Sequence, residues 1–152
     1  MKAFFKISGS CLLGVMLLFH ALQALGDNQN QKSLSSIWSS VWDETVSDVA
    51  FKKVGNSDVK SYSIEELVQI LNSTLFLDVE VIDQQTETIK VRVNRSEELT
   101  EHMGSSGART CLGIITFTLT ENPNVKKVDM EFECGSHASP GTYSRADFIQ
   151  AF

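Results

Sequence analysis

"CLGIITFTLTENPNVKKVDMEFEC", residues 111–134, begins and ends with the chain's only cysteines beyond Cys11, and its reading decides the fold. Glu121-Asn122-Pro123-Asn124 is a turn signal between two apolar runs. As a four-residue hairpin loop it fixes one register, with Cys111 opposite Cys134. On that face Gly113 meets Phe132, Ile115 meets Met130, Phe117 meets Val128 and Leu119 meets Lys126, while Thr116, Thr118 and Thr120 fall on the other. A helix is the rival, since Ala108, Cys111, Leu112, Ile115 and Leu119 also form a stripe. Geometry weighs against it. Eleven helical residues cover about 16 Å, and the ten from Val125 to Cys134 cover about 33 Å as a strand. A disulfide tolerates only about 4.4 to 6.8 Å between Cα atoms, so helix and strand would leave the cysteines apart. β-Branched residues among Ile114 to Thr120 also favour strand. The expectation is a hairpin stapled by Cys111 and Cys134, a structural link worth about 3 kcal/mol on the chain-entropy estimate.

A disulfide implies an oxidising compartment, and the N-terminus agrees. Met1-Lys2-Ala3-Phe4-Phe5-Lys6 is basic, Leu12 to Phe19 is apolar, and Ala24-Leu25-Gly26 precedes the polar Asp27-Asn28-Gln29-Asn30. These are the three parts of a secretory signal peptide, expected over residues 1–26. His20 and Gln23 interrupt the run, which is short of the ~20 apolar residues of a membrane span. The expected product is secreted, or periplasmic in a bacterium, with no membrane span after cleavage. Losing Lys2 and Lys6 leaves 11 basic against 19 acidic side chains. That balance argues against nucleic acid as partner, which needs clustered Lys and Arg.

Residues 27–33 are polar and read as a disordered lead-in, and 34–152 as a single domain with a modest core. From Leu34, the residues Ile37, Trp38, Val41, Trp42, Val46 and Val49 recur at helical spacing, predicting an amphipathic helix that ends near Gly55. Ser63-Ile64-Glu65-Glu66 is a capping box, followed by Leu67, Val68 and Leu71 at helical spacing, so a second helix runs to about Asn72. Leu77, Val79 and Val81 alternate with acids, and Ile89, Val91 and Val93 alternate with Lys90 and Arg92. Period-two alternation about the polar Asp83 to Glu87 is a β-hairpin with one buried face. Across it Asp78 and Glu80 are matched in sign to Lys90 and Arg92. Ser96 to Met103 is a charged segment with helical character, and Gly104-Ser105-Ser106-Gly107 reads as a flexible loop. Ser139-Pro140-Gly141 is a turn, and Ser144 is placed to cap a last helix burying Phe148, Ile149 and Phe152. The fold class is α+β: N-terminal helices on an antiparallel sheet built from two β-hairpins, with a short C-terminal helix.

Chemistry is sparse. The cysteines lack zinc spacing, and beyond the leader the only histidines are His102 and His137. Glu98 and His102 at i, i+4 are two weak ligands on a wet helix face, so no metal is expected. His137 has Ser136 and Ser139 beside it, but a nucleophilic pair also needs an orienting acid and an oxyanion site. No catalytic residue, cofactor or metal is assigned. Asn72-Ser73-Thr74 and Asn94-Arg95-Ser96 match the N-glycosylation acceptor pattern.

From Ser63 to Gly135 the chain resembles the GerMN family, the sporulation and spore-germination domain of exported envelope proteins. The likeness is one of order: the helix Ile64 to Leu71, "TIKVRVNRSEEL" in the family's V-D-hydrophobic-S place, a Gly-Ser loop, and "TLTENPNVKKVDMEFECG" as its closing helix end, proline turn and strand. Arg92 and Asn94 stand where an acid and a serine are common, and the cysteines are outside the pattern. The resemblance implies helix over 108–120, against the hairpin, and a non-enzymatic role in assembly or protein binding in a cell envelope. A second likeness is to cystatin-like domains, with a helix on an antiparallel sheet and a late stapled hairpin. The Q-x-V-x-G loop of those inhibitors is absent, since the turn reads Asp83-Gln84-Gln85-Thr86-Glu87.

The expected function is therefore a small exported, non-enzymatic domain that binds a protein partner. The competing readings are a secreted cystatin-like inhibitor or glycoprotein effector, and a small hydrolase using the 134–140 loop.

Overall fold

The structure, a computed structural model, describes residues 36–45, 47–54 and 62–149. Its elements run β1 (Trp38–Asp43), β2 (Asp48–Lys53), α1 (Ile64–Thr74), β3 (Val79–Gln85), β4 (Thr88–Val93), a π-helical turn (Glu98–His102), α2 (Gly104–Leu119), β5 (Lys127–Glu131), β6 (Gly141–Tyr143) and a 3-10 turn (Arg145–Phe148). These described elements belong to one compact unit. The fold class is α+β: helices pack with a two-stranded sheet, β1-β2, and a four-stranded sheet in the order β3-β4-β5-β6. The expected signal peptide and lead-in lie outside the described residues.

Local patterns form where they are strongest. Ser63 caps α1, its hydroxyl accepting from the Glu66 N–H at 3.2 Å while the Glu66 carboxylate accepts from the Ser63 N–H at 3.0 Å. Ile64, Leu67, Ile70 and Leu71 are the face it buries. The β3–β4 hairpin pairs Glu80 with Arg92 and Val79 with Val93, with a register shift between Val81 and Asp83. Ile89, Val91 and Val93 point into the core, Lys90 and Arg92 away from it. The charges on that outer face do not all pair as the hairpin alone predicts. Arg92 reaches Glu80 at 4.0 Å, but Lys90 and Arg92 both meet Glu131 on β5 at 3.1 Å.

Residues 111–134 are a helix followed by a strand, which corrects the expected hairpin. α2 runs from Gly104 to Leu119, so the anticipated Gly104–Gly107 loop is its first turn. β5 pairs in parallel with β4, Thr88 opposite Lys127 and Ile89 opposite Val128. The sheet is therefore mixed, not two antiparallel hairpins, and α2 is the crossover that a parallel pair requires. Among the residues that argued for strand, Thr116 and Thr120 satisfy their hydroxyls on carbonyls one turn back, Leu112 O at 2.8 Å and Thr116 O at 2.7 Å. That bond is the way threonine is accommodated in a helix. The cysteines do not meet: both Cys111, buried, and Cys134, exposed, are free. The pairing rested on the hairpin register and goes with it.

The expected helix from Leu34 to Gly55 is also corrected. Its described part is a β-hairpin, Trp38 opposite Lys53 and Asp43 opposite Asp48. Asp43 accepts from the Thr45 N–H at 2.9 Å and the Thr45 hydroxyl at 2.6 Å, and Ser47 takes a positive φ of 52°. Such side-chain bonds to nearby backbone compete with helix and form a turn instead. The helically spaced residues separate accordingly: Ile37 is buried, while Val41 and Trp42 are exposed. At the C-terminal end the Ser144 box forms with Asp147 and Phe148 is buried, but the helix is one 3-10 turn and Ile149 is exposed. Phe152 lies outside the described residues.

Candidate functional site: an aromatic groove beside β2

α2 is buried on more than one side over Cys111 to Leu119, because the four-stranded sheet and α1 cover one face and the β1–β2 hairpin another. The hairpin meets it at Gly113, where a Cβ would stand 2.1 Å from Cζ of Phe51. The glycine thus admits a ring. Phe51 stacks on Phe117 with centroids 5.0 Å apart and planes 15° apart, and Trp38 tilts against the same Phe117 at 4.7 Å. Phe148 from the 3-10 turn approaches Phe51 edge-on at 5.8 Å. Rings from four elements form one cluster, in the tilted and offset geometries aromatic pairs favour.

Between hairpin and 3-10 turn the cluster leaves a groove of about 490 Å³. Trp38, Val49, Ala50, Phe51, Phe117 and Phe148 give it an apolar lining. Its charged residues are Asp43 and Asp48 at the turn end of the hairpin and Arg145, which lies against Trp38 at the other end. Ile149, also lining it, is 61% exposed, and Trp42 on the hairpin is 60% exposed.

Arg145 is held in place by a hub. Its Nε donates to Thr120 Oγ1 at 2.7 Å, and Nη2 donates to Phe117 O at 3.0 Å and Glu121 Oε1 at 2.8 Å. Its guanidinium stands 5.1 Å from the Trp38 and Phe117 ring centroids. A cation on the last carbonyls of α2 complements the negative end of the helix dipole. Glu121 also accepts from Trp38 Nε1 at 3.1 Å and Lys53 Nζ at 2.5 Å. Burial pushes the Glu121 carboxyl up, and the hydrogen bonds from Lys53, Arg145 and Trp38 outweigh it, leaving the group below its ordinary range.

The 134–140 loop is tied down by hydrogen bonds to itself and to Thr100 and Glu101. Gly135 N–H donates to Ala138 O and His137 N–H to Thr100 O, each at 3.1 Å, and the Ser136 hydroxyl donates to Thr100 O and to Glu101 Oε2, each at 3.2 Å. A Cβ at Gly135 would sit 2.4 Å from Thr100 Cβ, so a glycine is needed for that approach. The serine that meets His137 is neither Ser136 nor Ser139 but Ser105, in the first turn of α2, with Oγ 3.2 Å from Nδ1. Among the described residues, Ser105 is the side chain hydrogen-bonded to His137.

The remaining candidates are scattered. Glu98 and His102 touch at 3.3 Å on an exposed surface, and no group of three metal-ligating side chains occurs among the described residues. Cys111 Sγ lies 3.4 Å from Met103 Sδ, and burial pushes its thiol up; Cys134 Sγ is 3.6 Å from Ser139 Oγ. Asn72 Nδ2 donates to Val79 O at 2.9 Å while its Oδ1 accepts from Val79 N–H at 2.8 Å. Asn94 is bound to Asp78 through backbone and side chain, at 2.8 and 3.3 Å. Among the described residues no helix is long and apolar enough to cross a membrane.

The sequence reading missed Phe51, Gly113, Phe117, Glu121 and Arg145 as one assembly. The available signal was Gly113, a lone glycine amid large apolar residues, which marks a close approach when the segment is helical. No family model, curated protein or solved structure matches the chain.

Proposed function

We propose that the chain is an exported, non-enzymatic α+β domain that binds a protein partner through the groove beside β2. One observation carries the reading: an apolar groove about 490 Å³ in size, aromatic in its lining and flanked by a positioned arginine, opens beside the exposed Trp42 and Ile149. Trp, Phe and Arg are the residues enriched in the cores of protein interfaces and among their energetic anchors. Burying a large apolar side chain there contributes about 1.5 to 3 kcal/mol. Export rests on the basic, apolar and small-residue order of residues 1–26. The resemblance to envelope assembly domains points to the same class of role, and the reading needs no cofactor.

A photo-crosslinking amino acid placed at Trp42 or Ile149, with Gln84 on the exposed end of β3 as control, tests it in the producing cell. Discrete adducts at Ile149, in the groove lining, and at Trp42, across the hairpin from the lining residue Val49, with none at Gln84, are expected. Equal labelling at Gln84, or none at either Trp42 or Ile149, would remove the groove as the binding surface.

A further inference from the structure

We propose that the exported chain carries an N-linked glycan at Asn94, and that the fold closes the second acceptor motif at Asn72. The inference rests on the export reading, because N-glycans mark the surface loops of secreted chains. It assigns a modification that the groove and its partner do not require.

Asn72-Ser73-Thr74 and Asn94-Arg95-Ser96 read alike in the sequence, and the structure separates them. The first lies wholly within the last turn of α1. Its Ser73 and Thr74 hydroxyls both donate back to Ile70 O at 2.8 Å, as hydroxyls in helices do. The Asn72 amide is engaged at both ends by one residue, Oδ1 accepting from the Val79 N–H at 2.8 Å and Nδ2 donating to Val79 O at 2.9 Å. For oxygen and hydrogen of one planar amide to face the same residue, the donated hydrogen must be the one on the oxygen's side of the C–N bond. A secondary amide keeps its two carbon substituents trans, so a sugar on Nδ2 takes the place on the oxygen's side. That place is the hydrogen given to Val79, and the hydrogen that remains points away from it. Val79 is buried, and a buried carbonyl stripped of its partner is penalised by desolvation. A glycan at Asn72 and the joint between α1 and β3 therefore exclude each other, and chains modified there fall out of the folded population.

Asn94 is placed differently. It is exposed in the turn that follows β4, and its backbone N–H holds it there by donating to Asp78 O at 2.8 Å. Its side chain donates from Nδ2 to Asp78 Oδ2 at 3.3 Å, a bond between exposed residues that needs a single amide hydrogen. The other hydrogen is open to replacement, and the backbone bond does not depend on it. In the transfer, Asn94 Nδ2 attacks the anomeric carbon of a lipid-linked oligosaccharide diphosphate. A C–N bond forms, the bond from that carbon to the diphosphate oxygen breaks, the lipid diphosphate leaves with the electron pair, and the amide gives up one proton.

Translation of the full chain in the presence of rough microsomes tests this, with protease added outside the vesicles to read export separately from modification. Protected chains are released with detergent, trimmed with trypsin to select folded molecules, and treated with peptide N-glycosidase in heavy-oxygen water, which turns each glycan-bearing asparagine into a mass-labelled aspartate. Trypsin-resistant chains should carry the label at Asn94 and none at Asn72, and Asn94→Gln should abolish it. Label at Asn72 in resistant chains overturns the closed motif. Protected chains that resist trypsin without label at Asn94 overturn the acceptor and leave export standing. Chains digested from outside the vesicles overturn export and the glycan together.

Discussion

Gly113 and Phe51 share one space: a Cβ on Gly113 would lie 2.1 Å from Cζ of Phe51 and 2.5 Å from its Cε1. The contact joins α2 to β2 and sets the depth at which the hairpin seats. In an isolated helix Gly→Ala is worth roughly 0.5 to 1 kcal/mol of stabilisation. Here overpacking opposes it, at about 1 to 3 kcal/mol. Gly113→Ala should therefore lower the urea midpoint with little change in slope, and Phe51→Leu in the same chain should recover part of the loss. A Gly113→Ala protein more stable than the parent would show that hairpin and helix do not meet there.

How much of this was legible in the sequence depends on how local each signal is. The α1 capping box and the β3–β4 alternation need only neighbours within a few residues, and both are found. α2 is different. Packed by a sheet on one side and a hairpin on another, it buries Gly113, Thr116, Phe117 and Thr118 as well as its Cys111-Ile115-Leu119 stripe, which blurs the helical period. Against so blurred a period, pairing Cys111 with Cys134 favours strand, because a disulfide holds Cα atoms within about 4.4 to 6.8 Å. β1–β2 failed for the opposite reason, since Trp38, Val41 and Trp42 have helical spacing while Asp43 and Thr45 build a turn. The groove had no local signature, because its rings come from residues 38, 51, 117 and 148.

The second prediction concerns the Glu121 hub. Its folded pKa is depressed below the unfolded value, so its contribution to stability is present above the unfolded pKa and lost as pH falls through the folded one. Hydrogen bonds to a charged group are worth about 1.5 to 3 kcal/mol, reduced here by partial solvent screening. Glu121→Gln should lower the denaturation midpoint at pH 7 and lose less stability than the parent on going from pH 5 to pH 3. Unfolding curves across that range check it. Glu131 and Asp147 are shifted the same way and keep a residual acid slope in the variant.

The cysteines supply a third prediction. Cys134 is exposed and Cys111 buried with its thiol pKa pushed up, so iodoacetamide at neutral pH should label Cys134 quickly and Cys111 only as the chain opens. Peptide mapping resolves the two sites. Under denaturant both should react at similar rates. Recovery of a Cys111–Cys134 linked peptide from native protein would overturn the helix assignment, since that link belongs to the hairpin register.

Asn72 decides how α1 hands the chain to β3. Its amide donates to Val79 O and accepts from Val79 N–H, at 2.9 and 2.8 Å, so one side chain satisfies both backbone groups of the first residue in β3. Asn72→Ala leaves both without that partner, at a cost of about 1 to 3 kcal/mol. Asn72→Asp keeps the acceptor and loses the donor, placing a carboxylate against a carbonyl, and should destabilise as well. The same substitution at the second sequon, Asn94→Ala, removes a side-chain bond to Asp78 between exposed residues and should cost under about 0.5 kcal/mol. Thermal unfolding of the three variants checks the order. Equal stability of Asn72→Ala and Asn94→Ala would mean that the Asn72 amide does not join α1 to β3.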